Sequence, residues 1–235
     1  MNYGYFDDDN KEYVITRPDT PQSWSNYLGS TEYGAVITNN AGGYGFYKSG
    51  ARGRFLRLRF NSIPMDQPGR YFYLHDRESR DYWSVSWQPV GKPFERFRST
   101  CRHGTAYTTI SSEYDGIAAE ATYFVPLDQI FEYWRLKVTN LSGRPRRLSA
   151  FTYCEFANEW DTAQDLVNLQ YTLFITRGEL RNGLDQGGLQ RTYAGRPARQ
   201  RGPGLEQPHL DGADRRAAGR IRHQPRGLPG SIPLL

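Results

Sequence analysis

The sequence predicts an all-β protein, a large antiparallel β-sandwich, and three observations lead there. Aromatic residues make up 14% of the chain, with 17 Tyr, 12 Phe and 5 Trp, a composition that suits pleated, half-buried surfaces better than helices. Apolar and polar residues alternate with a period of two in many short runs, which sends every second side chain to the same face. Clusters of Gly, Pro, Asp and Ser punctuate those runs, and no stretch shows an amphipathic helical period. At 235 residues the chain is long enough for one such domain with a sizeable core.

Three runs carry the alternation most clearly. In RFLRLRF (54–60) Leu56, Leu58 and Phe60 oppose Arg57 and Arg59. In YWSVSWQP (82–89) Trp83, Val85 and Trp87 oppose Ser84 and Ser86, and in YWRLKVTN (133–140) Trp134, Leu136 and Val138 oppose Arg135 and Lys137. Each reads as a strand with one buried face. Shorter strands are expected in EYVITR (12–17), GAVITNN (34–40), RYFYLHD (70–76), TAYTTISSEY (105–114), GIAAEATYFVP (116–126), RRLSAFTYCEF (146–156) and YTLFITR (171–177). The turn material between them is AGGYG, SGARG, DQPG, EYDG and LSGRP, and EYDG makes a hairpin of the strands it joins.

The net charge of +5 invites a nucleic-acid or membrane reading until the charge is located. Residues 181–235 hold 10 Arg, no Lys and 4 acids, which leaves 20 basic and 21 acidic side chains in residues 1–180. The same 55 residues contain 10 Gly, 6 Pro and a single aromatic, Tyr193. Such a segment buries too little apolar area to offset its ordering entropy. The sequence therefore divides into a sandwich over 1–180 and a low-complexity tail over 181–235, expected to be disordered. Three origins compete for that tail, a basic arm for nucleic acid, a linker and translation in a wrong reading frame, and the last is favoured. Back-translated with allowed codons and shifted by one base, IRHQPRGLPGSIP becomes FDTSREAFLDPY and HLDGA becomes TWMA, both far more protein-like than their parents. With the basicity confined to the tail, neither a nucleic acid nor a membrane is expected as partner.

The start MNYGYFDDDN has no apolar core for a secretory signal, and no run of ~18 apolar residues occurs, so a cytoplasmic protein is expected. Cys101 and Cys154 have no CxxC spacing and read as reduced thiols. Asp7, Asp8 and Asp9 lack ligand spacing and read as a solvated loop. AGGYG (41–45) lacks the setting of a phosphate loop and reads as a turn where backbone passes close to something. His75 and His103 read as hydrogen-bonded structural residues, and neither a metal site nor a cofactor is expected. No nucleophile elbow is present. Trp83, Trp87 and Trp134 belong to the core, whereas Trp24 and Trp160 lie beside polar loops and leave a sugar-stacking role open. The most polar segment, EFANEWDTAQDLVNLQYT (155–172), is either a solvated excursion or a binding surface that includes Glu155 and Asp165.

Seven stretches resemble, in order and spacing, the amino-terminal β-sandwich of the cellobiose phosphorylase family, formerly glycosyltransferase 36. They are GYFDDDNKEYVITRPDTPQSWSNYLGS, NNAGGYGFYKSG, GRYFYLHD, DYWSVSWQPV, CRHGTAYTTI, YFVPL and CEFANEWDTAQDLVNLQY. The resemblance covers about residues 1–180 and implies a galactose-mutarotase-like super-sandwich, truncated here. It implies a parent enzyme in which phosphate attacks the anomeric carbon of a β-glucoside, giving α-glucose 1-phosphate and a free sugar. In that family the general acid and the phosphate site lie in a following (α/α)6 barrel, so this chain alone is expected to be inactive. The implied partners are an oligosaccharide, inorganic phosphate and a second subunit in the parent. On the substrate side, Asn168 and Gln170 match the family's N-x-Q pattern, and Tyr171 stands where cellobiose-cleaving members tend to carry Arg. STEYG, TISSEYDG and VNLQYTLFIT lean toward members acting on cellobionic acid or another relative of cellobiose. A stand-alone carbohydrate-binding or assembly module is the competing class of function. An interrupted sandwich would leave an open sheet edge and uncovered apolar faces, and so would tend to aggregate.

Overall fold

A computed structural model describes residues 2–51, 53–56, 68–156, 176–181 and 184–189. Every element among them is a strand: β1 (Gly4–Asp7), β2 (Glu12–Ile15), β3 (Ser25–Gly29), β4 (Tyr33–Thr38), β5 (Gly43–Tyr47), β6 (Tyr71–Asp76), β7 (Tyr82–Ser84), β8 (Phe97–His103), β9 (Tyr107–Tyr114), β10 (Ile117–Phe124), β11 (Tyr133–Asn140), β12 (Leu148–Tyr153), β13 (Thr176–Arg181) and β14 (Leu184–Leu189). All pairings are antiparallel. No described helix is long and apolar enough to cross a membrane.

A six-stranded sheet, β1-β2-β8-β9-β10-β11, forms one layer. Two three-stranded sheets, β3-β4-β5 and β12-β6-β7, form the other and meet where Gly42 bridges Gly69. Alternation decides which faces meet. Phe97, Cys101, Ile110, Tyr114, Ala121 and Tyr123 point inward from the large sheet, against Ile37 from β4 and Phe72, Leu74 and Trp83 from β6 and β7. Trp83 lies 5.1 Å from Tyr114, and Phe72 6.1 Å from Tyr123, between ring centroids. The β9–β10 hairpin closes at Asp115 and Gly116, both with positive φ (49° and 74°), the geometry that a two-residue turn needs between twisted strands.

YWRLKVTN forms β11 as expected, with Trp134, Leu136 and Val138 packed against the core. YWSVSWQP behaves differently. Strand pairing stops at Ser84, Trp87 adopts φ 68°, and both Ser84 and Ser86 are buried. Their hydroxyls account for this, because Ser84 Oγ donates to the Trp87 carbonyl and accepts from Val90 N–H, while Ser86 Oγ donates to the Gln88 carbonyl. The serines stitch a turn rather than face solvent. In RFLRLRF, Arg54 and Leu56 form isolated bridges to Phe46 and Phe156, and residues 57–60 lie outside the described ones.

Five strands have no counterpart in the alternation pattern, one of them β14 in the tail expected to be disordered. β1 and β3 are short, β5 (GYGFY) is interrupted by glycine, and β8 (FRSTCRH) places Ser99 inward between Phe97 and Cys101. The compositional boundary at residue 180 falls inside the β13–β14 hairpin, whose register pairs Arg181 with Leu184. Asn182-Gly183, the intervening dipeptide, is a sequence favoured for two-residue hairpin loops. Of the segment that follows, residues 190–235 lie outside the described ones.

Candidate functional site

Of the substrate-side candidates, Glu155 is described, and Asp165, Asn168, Gln170 and Tyr171 lie outside the described residues, as does Trp160. Glu155 follows the end of β12, where its Oε1 accepts a hydrogen bond from the Tyr153 hydroxyl at 2.6 Å. One residue on, Phe156 bridges Leu56. The described start of the polar segment, Glu155 and Phe156, thus lies at the end of β12, beside a buried polar cluster.

That cluster centres on Arg70 and Glu132, whose side chains are 0% and 3% exposed. Arg70 Nη2 donates to Glu132 Oε1 at 2.6 Å, Nε donates to Oε2, and Nη1 donates to the Val36 carbonyl at 3.0 Å. Glu132 also accepts from the Tyr33 hydroxyl (2.8 Å) and from Trp134 Nε1 (2.9 Å), while the Tyr123 hydroxyl donates to the Arg70 carbonyl at 2.9 Å. The fork of the guanidinium meets the carboxylate along two bonds, and the remaining lone pairs find ring donors. A buried ion pair survives only when satisfied in this way.

Electrostatics follow from the burial. Desolvation opposes the Arg70 charge, but the adjacent Glu132 outweighs it and the guanidinium pKa lies above its ordinary value. Burial, reinforced by Glu132, drives the Tyr33 phenol upward, and burial likewise raises Tyr123. The Cys154 thiol feels both charges of the pair and is pushed up to about 11, chiefly by burial. It is therefore a thiol, not a thiolate, at neutral pH.

Elsewhere the polar residues are structural. His103 Nε2 donates to the Trp24 carbonyl at 3.1 Å, Nδ1 accepts from Thr108 Oγ1 at 2.9 Å, and burial lowers the imidazole pKa. Trp24 packs edge-on to Tyr3 and tilted against Tyr13, within the sandwich rather than in an open stacking position. Asp7 accepts two bonds from Asn10 and one from Arg102 in the β1–β2 turn. Cys101 and Cys154 are free. Among the described residues no group of three potential metal ligands gathers. Chemically, the Arg70–Glu132 cluster, closed off from solvent, holds and orients backbone.

The profile of the glycosyl hydrolase 94 supersandwich domain matches residues 11–201. The chain belongs to that family. Over 184 residues it is 46% identical to the N,N'-diacetylchitobiose phosphorylase of Vibrio furnissii, covering 78% of this chain and 23% of that protein. It is 32% identical over 160 residues to the solabiose phosphorylase of Paenibacillus borealis, covering 67% and 20%. A cellobionic acid phosphorylase of Neurospora crassa is 37% identical over 86 residues, covering 37% and 11%. The chain thus spans about a quarter or less of the length of the curated relatives it matches. The antiparallel sandwich read from the residues is the supersandwich of this family, and the family match runs past residue 180 through β13 and β14.

Sequence reasoning passed over Arg70 and Glu132. They stand 62 positions apart, Arg70 at the mouth of an aromatic run and Glu132 just before β11, with no spacing that marks them as partners. One trace of them exists in AGGYG. A Cβ on Gly45 would sit 2.7 Å from Glu132 Oε1 and 2.8 Å from the Tyr33 hydroxyl. The close approach read from those glycines is the approach to this cluster.

Proposed function

We propose that the chain is the sandwich portion of an inverting disaccharide phosphorylase, cytoplasmic and homodimeric in its full-length form. The observation that carries this reading is the 46% identity sustained over 184 residues with a chitobiose phosphorylase. In the parent, phosphate attacks the anomeric carbon from the face opposite the departing sugar, so a β-glycoside yields an α-sugar 1-phosphate. Phosphate is already anionic at neutral pH and needs only to be held, which leaves one proton to be supplied, to the leaving oxygen, by one carboxylic acid. That acid and the phosphate site belong to the parent's barrel. On this reading the sandwich contributes the polar segment 155–172, with Glu155, Asp165, Asn168, Gln170 and Tyr171 as its residues on the substrate side.

For the disaccharide we favour N,N'-diacetylchitobiose, because the chitobiose enzymes match at higher identity and over twice the length of the cellobionic acid enzyme. The cellobionic acid lean of STEYG and VNLQYTLFIT remains the second reading. The change of reading frame is proposed for the sequence beyond residue 201, where the family match ends and where both shifted strings lie.

The test has three arms. Sequencing the gene through and beyond these codons should reveal a barrel-coding frame displaced by one base. The frame-restored product, given phosphate with N,N'-diacetylchitobiose, cellobiose or cellobionic acid, should release N-acetyl-α-glucosamine 1-phosphate fastest. Preference for cellobionic acid reassigns the substrate, and absence of any sugar phosphate removes the phosphorylase reading. The 235-residue chain alone should release none above a heat-killed control.

A further inference from the structure

The outward face of the β12-β6-β7 sheet differs from the rest of the surface. Cross-strand pairs set Phe151 beside Tyr73, Ser149 beside His75, and His75 beside Tyr82 on that face. Phe151, Tyr82 and Tyr153 remain 55%, 56% and 40% exposed, Tyr73 and His75 are half-buried between them, and Tyr71 and Ser84, which the same register puts on this face, are buried. Aromatic residues in such number on one solvent face are not what a solvated sheet selects; they mark a surface that meets something.

Chemistry narrows what that is. None of the outward strand positions here is Asp, Glu, Lys or Arg. Among the described residues charge enters at the rim, where Arg77 Nε donates to Ser149 Oγ at 2.8 Å, Glu155 accepts from the Tyr153 hydroxyl at 2.6 Å, and Lys92, paired with Asp81, lies 5.5 Å from the Tyr82 ring centroid. The ring nitrogens of His75 and the hydroxyls of Tyr73 and Tyr82 make no hydrogen bond with other described residues, so donors and acceptors stand among the rings. Three strands ~4.8 Å apart, two of six residues and one of three, present a platform of roughly 200 Å2. A stable protein interface takes about 800 Å2 from each partner. The surface is uncharged, aromatic, studded with hydroxyls and too small for a subunit.

We propose that this face binds a neutral β-linked oligosaccharide of equatorially substituted pyranoses. Such sugars carry their hydroxyls around the edge and present axial C–H bonds on both flat faces. Those C–H faces stack on Phe151 and Tyr82, and the sugar hydroxyls bond to His75 and to the Tyr73 hydroxyl. Binding needs neither phosphate nor a catalytic acid, so it stands or falls independently of the phosphorylase reading.

The experiment is a calorimetric titration of the purified 235-residue chain with cellohexaose and with N-acetylchitohexaose. Saturable binding of at least one is expected, weakened roughly tenfold by Phe151→Ala and by Tyr82→Ala. Phe151→Trp should retain it, and Tyr27→Ala, which removes a ring 73% exposed on β3, should leave it unchanged. Each variant is matched to the parent by near-UV circular dichroism, so that a lost fold is not read as a lost site. Absence of saturable binding to both sugars, or equal affinity in Phe151→Ala and the parent chain, overturns the assignment. So does self-association on gel filtration that Phe151→Ala abolishes while neither sugar binds, which would make the face a protein contact.

Discussion

Two buried ion pairs lie among the described residues, and they differ in what surrounds them. Arg70–Glu132 sits in the core with every carboxylate contact made by a guanidinium, a phenol or an indole. Arg146–Asp76 is as deeply buried, 2% and 1% exposed, but lies at the end of β6, where Arg146 also reaches Asp115, which is 39% exposed. The first pair belongs to the folded interior alone. The second is a clasp whose outer half is in water: Asp76 accepts from Glu78 and Ser79 N–H, and Arg146 Nη1 donates to the Asp115 carbonyl of the β9–β10 turn. Equal burial therefore does not mean equal sensitivity. What matters is whether water and protons reach the partners when the pair loosens.

Removing one charge from the core pair should have the largest effect. Glu132→Gln leaves the Arg70 guanidinium buried and uncompensated, a loss expected at about 3–5 kcal/mol of unfolding free energy and read from the urea midpoint. A loss under about 1 kcal/mol would mean that water enters the cluster, and the contrast with the clasp would disappear. Asp76→Asn comes next, at about 2–3 kcal/mol, because the amide keeps one acceptor for the two backbone N–H groups while losing the charge that meets Arg146.

The clasp should also answer to acid. Desolvation raises the Asp76 pKa, but the Arg146 bonds and the two backbone donors outweigh it, so the folded value lies below the ordinary 3.8. Protons then bind the unfolded chain more readily. The stabilisation is complete above the unfolded value near ~4 and is lost as pH falls through the lower folded value. The difference in urea midpoint between the parent chain and Asp76→Asn should shrink from pH 6 toward pH 2.5. A constant difference would show that charge is not what Asp76 contributes. The smallest effect belongs to Asp115→Asn, expected below about 1 kcal/mol because the carboxylate is partly solvated.

The same contrast explains what could be read from the residues. The β9–β10 hairpin was legible because its signals are local: alternation from Tyr107 to Phe124 interrupted by Asp115-Gly116. β11 was legible for the same reason. Trp87 packs against the core as expected, but the strand was read too far, because alternation continues through YWSVSWQP while the backbone turns and only the hydrogen bonds of Ser84 and Ser86 reveal the change. The candidate site was least legible. Its described part, Glu155, came from local polarity, whereas Arg70 and Glu132 are partners only after three sheets have come together, and no local pattern encodes a meeting across 62 positions. Asn168 and Gln170 came from family resemblance, which carries information about partners outside this chain.

Gly45 carries the core pair into the realm of inheritance. Its missing Cβ is the space occupied by the Glu132 carboxylate, with Phe55 2.8 Å from the same point. A lineage that acquires alanine at 45 has to give way at positions 132, 33 and 55, since shortening Glu132 to aspartate relieves one of three contacts and leaves the Tyr33 hydroxyl and Phe55 at 2.8 Å. Second-site suppressors of Gly45→Ala, selected for soluble expression, should map to those three positions rather than scatter over the sandwich, and their absence there would show that the backbone yields before the carboxylate does.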